Sequence, residues 1–230
     1  QGTLSDVAFE KLKILADDIL VYGGAAQKYL GDTDALASKG ITGSNLDLGD
    51  LNTTTSVSGD LGWKTGIRFD CGILPLTSFA LPVGVVENDM KVKVSFGGVE
   101  SAVTPEYDEE TGRYTVVFDG YDVLDYENEY TFTVENSGIE IGHLTYSLGA
   151  LAKNAENKTD DKSQLIQKTY IYAQSVLTYA EYKDVPSIQI KMTDEAGKTY
   201  RTEAEDALFT KGTGDKEKYN VVDDANASGG

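Results

Sequence analysis

The stretch VTPEYDEETGRYTVVF, Val103 to Phe118, carries the densest strand-and-turn signal in the chain. Its two arms are rich in β-branched and aromatic residues, and the polar run Glu109 to Gly112 between them supplies turn chemistry and a glycine that tolerates positive φ. It reads as a β-hairpin, with Tyr107 and Tyr114 as cross-strand partners. Around it, the runs Lys64 to Cys71, Met90 to Phe96, Tyr114 to Asp119 and Tyr130 to Glu135 alternate or cluster apolar residues. Turn signals at Gly97-Gly98 and Glu135 to Gly138 separate them, which predicts strands of an antiparallel sheet.

Helical spacing flanks this β region. From Ser5 to Leu30, the residues Leu12, Leu15, Ile19, Tyr22, Ala26 and Tyr29 recur at intervals of three and four, and Gly31 follows as a stop. Gly23-Gly24 inside that helix reads as a place where a neighbour packs closely. Beyond the sheet, Leu144, Leu148 and Leu151 share one helical face. After a polar break at Asn154 to Asp161, a longer helix carries Leu165, Ile166, Tyr172, Ala173, Val176 and Tyr179 towards Lys183. The expected class is α+β: an antiparallel Ig-like β-sheet or sandwich with an N-terminal helix and a C-terminal helical hairpin packed on it.

The segments VYGGAAQKYL and IYAQSVLTYA each place two tyrosines seven apart, Tyr22 with Tyr29 and Tyr172 with Tyr179. This echo reads as a tandem array, in which residues 1–31 are the closing helix of a preceding repeat. The remaining expected divisions are a connecting loop over 32–62, a β unit with its helical hairpin over 63–183, and a linker with the start of another module over 184–230. Val185-Pro186 marks the last boundary, because proline cannot continue a helix.

Composition limits the partners. Of 230 residues, 38 are Asp or Glu and 20 Lys or Arg, a net charge of -18 that repels phosphate backbones and anionic lipid. Nucleic acid and membrane insertion are not expected, and no apolar run reaches the roughly 18 residues of a spanning helix. The one cysteine, Cys71, forms no internal disulfide. Acidic, Tyr- and Thr-rich chains almost free of cysteine suit exported proteins, so an extracellular, secreted or cell-surface monomer is expected, with any export signal lying outside the chain.

Catalytic chemistry has little to draw on. Cys71 and the lone His143, expected at a strand-to-helix junction, read as packed or capping residues, and one soft ligand of each kind does not make a zinc site. The chain holds no nucleophile elbow, P-loop or dinucleotide fingerprint. The acids Asp119, Asp122, Asp125, Glu127 and Glu129 crowd a turn-rich segment where solvated repulsion, and not a tuned acid/base pair, is expected. Asn45, Asp47 and Asp50 offer oxygen ligands for calcium but lack EF-hand spacing, and read as a solvated loop. Sugars stack on flat aromatic faces, so Trp63, Tyr107, Tyr121 and Tyr126, on strands or turns, are the candidate ligand-binding residues, with core packing as the competing role of each.

Two resemblances frame these readings. The block from Trp63 to Tyr182, with GIRFDCGI, KVKVSFGG, the hairpin above, LTYSLGALAKN and YAQSVLTYAEY, resembles a recurrent module of large secreted and surface proteins of gut and rumen Firmicutes. There an antiparallel β unit precedes a helical hairpin, and LVYGGAAQKYLG at Leu20 to Gly31 is similar to its closing helix. The tail YRTEAEDALFTKGTGDKEKYNVVDDANASGG, Tyr200 to Gly230, resembles the opening of family 6 and family 35 carbohydrate-binding modules. That second resemblance implies a β-sandwich strand whose acids, here Glu203 and Glu205, ligate a structural calcium. Together they imply a non-catalytic spacer, adhesion or scaffold module of a carbohydrate-associated protein, with glycans or neighbouring modules as partners. The alternatives are direct glycan binding through the named aromatics, and membership of a glycoside hydrolase or other enzyme.

Overall fold

The computed structural model describes residues 6–49, 55–69, 73–85, 87–119, 125–126 and 128–180, together with the backbone of 220–224. The chain is α+β: an N-terminal helix, two antiparallel sheets packed as an Ig-like sandwich, and a C-terminal helical hairpin. The first sheet has the order β1 (Ser56–Ser58), β9 (Ile139–Tyr146), β8 (Tyr130–Asn136), β4 (Met90–Phe96), β5 (Val99–Val103). The second has the order β10 (Asn220–Asp224), β2 (Lys64–Phe69), β3 (Ile73–Phe79), β7 (Arg113–Val117), β6 (Glu106–Asp108).

The hairpin at the centre of the sequence reading forms as expected, with Tyr107 opposite Tyr114 and Asp108 opposite Arg113. Its turn is organised by Asp108, whose carboxylate accepts from the Thr111 hydroxyl at 2.5 Å and the Glu110 amide at 2.8 Å. Those bonds, the Thr111 one first, hold the carboxyl below its usual range. Gly112 takes φ +67, which a side chain would resist. Two further hairpins close on two-residue turns. Gly97 and Gly98 both have positive φ, as a type I′ turn requires, and Ser137-Gly138 repeats the pattern with Asp89 accepting from the Ser137 amide and hydroxyl.

Period-2 patterning faces the sheets inward. Tyr114 and Val116 on β7, Tyr130, Phe132 and Val134 on β8, and Val92 and Val94 on β4 are buried while their neighbours are less so. Each such side chain favours folding by about 1.5–3 kcal/mol, against which ordering entropy works. The sheets are pinned together by Tyr146 of β9, whose phenol donates to Leu76 O and Gly66 O of the opposite sheet. Burial raises the Tyr146 phenol well above its ordinary pKa.

Strand β3 is not among the expected strands, and it carries Pro75, a residue that cannot donate to a ladder. The structure accommodates it at the limit of a ladder. Pairing with β7 runs from Phe79↔Tyr114 to Leu76↔Val117, and beyond it Phe118 N donates to Pro75 O at 2.9 Å, a bond that needs no proline N–H. Leu144 and His143 also differ from expectation. Both lie in β9, and the following helix α2 (Leu148–Ala155) starts only after Ser147, whose side chain accepts from Ala150 N at 3.1 Å. Leu144 fits a three-four spacing with Leu148 and Leu151, but an N-cap between them decides the boundary.

Helix α3 (Asp161–Ala180) folds back on α2, and Gln167 Nε2 donates to Ala155 O and Lys158 O, satisfying carbonyls at the end of α2. Asp160 caps α3, accepting from the Ser163 hydroxyl at 2.7 Å and the Ser163 amide at 2.9 Å, which holds its carboxyl below the usual range. A depressed folded pKa means the stabilisation is complete above the ordinary value of 3.8 and is lost as pH falls through the folded value. Acidification should therefore fray the first turn of α3, read as lower amide-exchange protection at Ser163 and Gln164 relative to the intrinsic rate at each pH. Asp160→Ala should cost about 0.5–2 kcal/mol at neutral pH and remove that acid step.

Helix α1 (Asp6–Tyr29) runs antiparallel to α3. It ends in a Schellman motif, with Asp32 N donating to Gln27 O, Gly31 N to Lys28 O, and Gly31 at φ +83. The two echoed tyrosines meet each other: Tyr22 stacks on Tyr172 with centroids 5.3 Å apart and 13° between planes. Burial, and Tyr172 after it, push the Tyr22 phenol up to about 12. Gly24 is a packing residue, since a Cβ there would sit 2.2 Å from the Ser38 hydroxyl.

Among the expected divisions, α1 lies against α3 in this same body, and β1 from the expected connecting loop joins the first sheet. From 184–230, only Asn220–Asp224 is described, paired antiparallel with β2 from Asn220↔Arg68 to Asp224↔Lys64. The EAEDA segment lies outside the described residues.

Candidate functional site

The four candidate aromatics separate. Trp63 is 1% exposed and Tyr126 3% exposed, so neither offers a face to a ligand and both take the competing role, core packing. Trp63, just before β2, packs on Phe79 at 5.3 Å and donates its indole N–H to Ser58 O of β1 at 3.0 Å. Tyr126 meets Tyr170 of α3 edge-on at 5.0 Å. A backbone pattern places a ring on a face, but only the opposite sheet or helix buries it. Tyr121 lies outside the described residues.

Tyr107 alone of these described aromatics is exposed, at 50%. It ends a row of rings that crosses the second sheet from inside to edge: Trp63, Phe79, Tyr114, Tyr107. The last step is 4.7 Å, so one face of Tyr107 leans on Tyr114, whose phenol burial raises above the ordinary pKa. Glu106 beside it reaches Arg68 at 3.6 Å.

His143 meets both a hydroxyl and a carboxylate. Its Nδ1 lies 3.0 Å from Ser58 Oγ and 2.7 Å from Glu140 Oε1. The three residue types of a nucleophilic triad are thus together, but both partners meet the same ring nitrogen. A relay needs the hydroxyl on one nitrogen and the carboxylate on the other. The carboxylate is half exposed, and the Ser58 hydroxyl accepts from His143 N at 3.1 Å, so the cluster ties β1 to β9. Cys71 lies outside the described residues.

Of the calcium candidates, Asp47 accepts from Gly49 N at 2.9 Å in a local turn. Among the described residues no three His, Cys, Asp or Glu side chains converge to hold a metal ion. Asp50, Glu203 and Glu205 lie outside them. No described helix is long and apolar enough to cross a membrane.

A site the sequence reading missed lies between α1, α3 and the stretch that follows α1. Lys11 and Ile14 come from α1, Asn45 and Asp47 from the connecting stretch, and Ile171, Gln174 and Thr178 from α3, lining an open cleft of about 260 Å³. Beneath it, the buried Asp18 carboxylate accepts from Ser44 N at 2.6 Å, from Ser44 Oγ at 2.8 Å and from Ser175 Oγ. A Cβ on Gly43 would come within 2.6 Å of Asp18 Oδ1, so glycine lets the chain pass close over the carboxylate. Gln174 Nε2 donates to Asp47 O and holds the far wall. No local pattern announces this cleft, because its polar groups come from three separate stretches.

Comparison of the chain with protein-family models, with curated proteins and with solved structures gives no match.

Proposed function

We propose that this chain is a non-catalytic extracellular module, a spacer or scaffold element of a modular, carbohydrate-associated surface or secreted protein. One observation carries the reading: Trp63, Tyr126, Tyr130, Tyr146 and Tyr170, the large rings best suited to recognition, are held in one core shared by both sheets and the helical hairpin. Rings committed to packing stiffen a module and leave few for a ligand. Helix α1 adds to the stiffness, clamped by Asp18, by the Tyr22–Tyr172 stack and by Lys28–Asp161 at 2.9 Å.

The test joins rigidity to silence. Native-state amide exchange should protect α1, α3 and the sandwich strands to one common global level, as expected of a single cooperative unit. A glycan array probed with the full chain should give no binding that depends on Trp63 or Tyr126. An α1 that opens independently of the sandwich would defeat the spacer reading.

A second reading, glycan binding by the β unit, is favoured by Tyr107 at the open end of its aromatic row. Reproducible array binding lost in Tyr107→Ala would establish it in place of the first.

A further inference from the structure

We propose that the cleft between α1, α3 and the Ser44–Asp47 stretch binds one neutral polyhydroxylated ring of monosaccharide size. This inference does not rest on the spacer reading, since a module that sets distance has no use for a ligand there.

The volume limits the occupant. About 260 Å³ falls just below the roughly 300–1,000 Å³ of pockets for drug-sized molecules, so the cleft suits a single small ring, while its open side lets substituents leave. Charge limits it further. Asp47 in the lining and the buried Asp18 carboxylate beneath it set two negative charges against an anionic ligand. The net charge of -18 turns anions away at longer range.

The lining is more apolar than polar, with a few groups that can meet hydroxyls. Asn45 brings an amide, Gln174 the oxygen of an amide whose N–H is already given to Asp47 O, Thr178 a hydroxyl and Asp47 an acceptor, and a sugar hydroxyl both donates and accepts. Ile14 and Ile171 supply an apolar patch for the C–H face of such a ring. The walls are set before any ligand arrives: Asp18 holds Ser44 and Ser175 from below, and Gln174 holds Asp47 O. A preformed site avoids the ordering cost of assembling one on binding.

The experiment titrates the ¹⁵N-labelled full chain with D-glucose, D-galactose, D-mannose, D-xylose and N-acetyl-D-glucosamine, with glycine betaine as a zwitterionic control. The expected result is saturable shifts at the amides of Ser44, Asn45 and Thr178 for at least one sugar, with Kd on the order of 1 mM. Thr178→Trp, at an exposed position, fills the cleft and should abolish those shifts while the rest of the spectrum stays in place. Asn45→Ala should weaken binding about fivefold or more, as loss of one hydrogen bond of roughly 1 kcal/mol implies. Cleft amides that ignore all five sugars overturn the proposal. So do shifts that survive Thr178→Trp, that gather at Tyr107, or that answer to betaine alone.

Discussion

Trp63→Ala should cost the fold about 3–5 kcal/mol, the range for deleting a large buried ring and leaving a cavity that relaxes only partly. The indole is the only one in the chain, is almost fully buried, and stands between Phe79 and the first sheet. Its loss also removes the donor to Ser58 O, the bond that ties the residue before β2 to β1. Trp63→Phe separates the two contributions: most of the ring volume stays and the N–H goes, so a loss of about 1–2 kcal/mol is expected. Chemical denaturation followed by far-UV circular dichroism measures both, because the fluorophore itself is removed. The wild-type chain supplies an internal check. Emission from Trp63 should be blue-shifted in the folded state and shielded from iodide, and should lose both properties on unfolding. A midpoint for Trp63→Ala indistinguishable from wild type would place this ring outside the core.

Asp18→Ala is expected to be the most damaging change among the helices, at about 2–4 kcal/mol. The carboxylate accepts three hydrogen bonds in a buried position, from Ser44 N, Ser44 Oγ and Ser175 Oγ. Hydrogen bonds to charged groups contribute roughly 1.5–3 kcal/mol each, and a buried donor left alone costs about 1–3 kcal/mol. The total falls below the sum because the two hydroxyls can turn and water can enter the space. Asp18→Asn keeps the shape but sets an amide N–H against a cluster of donors, so it should fall between alanine and wild type. In a single cooperative unit the damage should be shared, with amide-exchange protection falling together in α1, at residues 43–45 and in the sandwich strands. Gly43→Ala should produce the same pattern, because its Cβ would press on Asp18 Oδ1. Unchanged exchange in α1 for both variants would remove the clamp from the account of this fold.

The sequence was most legible where the determinants are near neighbours. Two strand arms and the four residues between them contain everything the Tyr107↔Tyr114 hairpin needs, and Gly31 stands directly after the helix it ends. Legibility failed where a local rule met a long-range partner. Pro75 counts against an inner strand until β7 is seen to stop pairing at Val117. Leu144 shares a helical spacing with Leu148, but the first sheet claims it, because β8 pairs with it through Phe132. The spacing of the echoed tyrosines is visible in the sequence, whereas the stacking of Tyr22 on Tyr172 depends on α1 and α3 lying antiparallel.

From its sequence alone the chain is an acidic α+β protein with an antiparallel Ig-like sheet between an N-terminal helix and a helical hairpin. Periodicity, turn residues and charge are properties of neighbouring residues and need no partner to be read. Only the tertiary structure decided which rings are covered, that Trp63 and Tyr126 face inward while Tyr107 reaches the edge. It also decided that Asp18 would find Ser44 and Ser175, 26 and 157 positions away. The reason is that burial and hydrogen-bond partnership are set by whichever element packs opposite, and a period of two or of three and a half does not say which element that is.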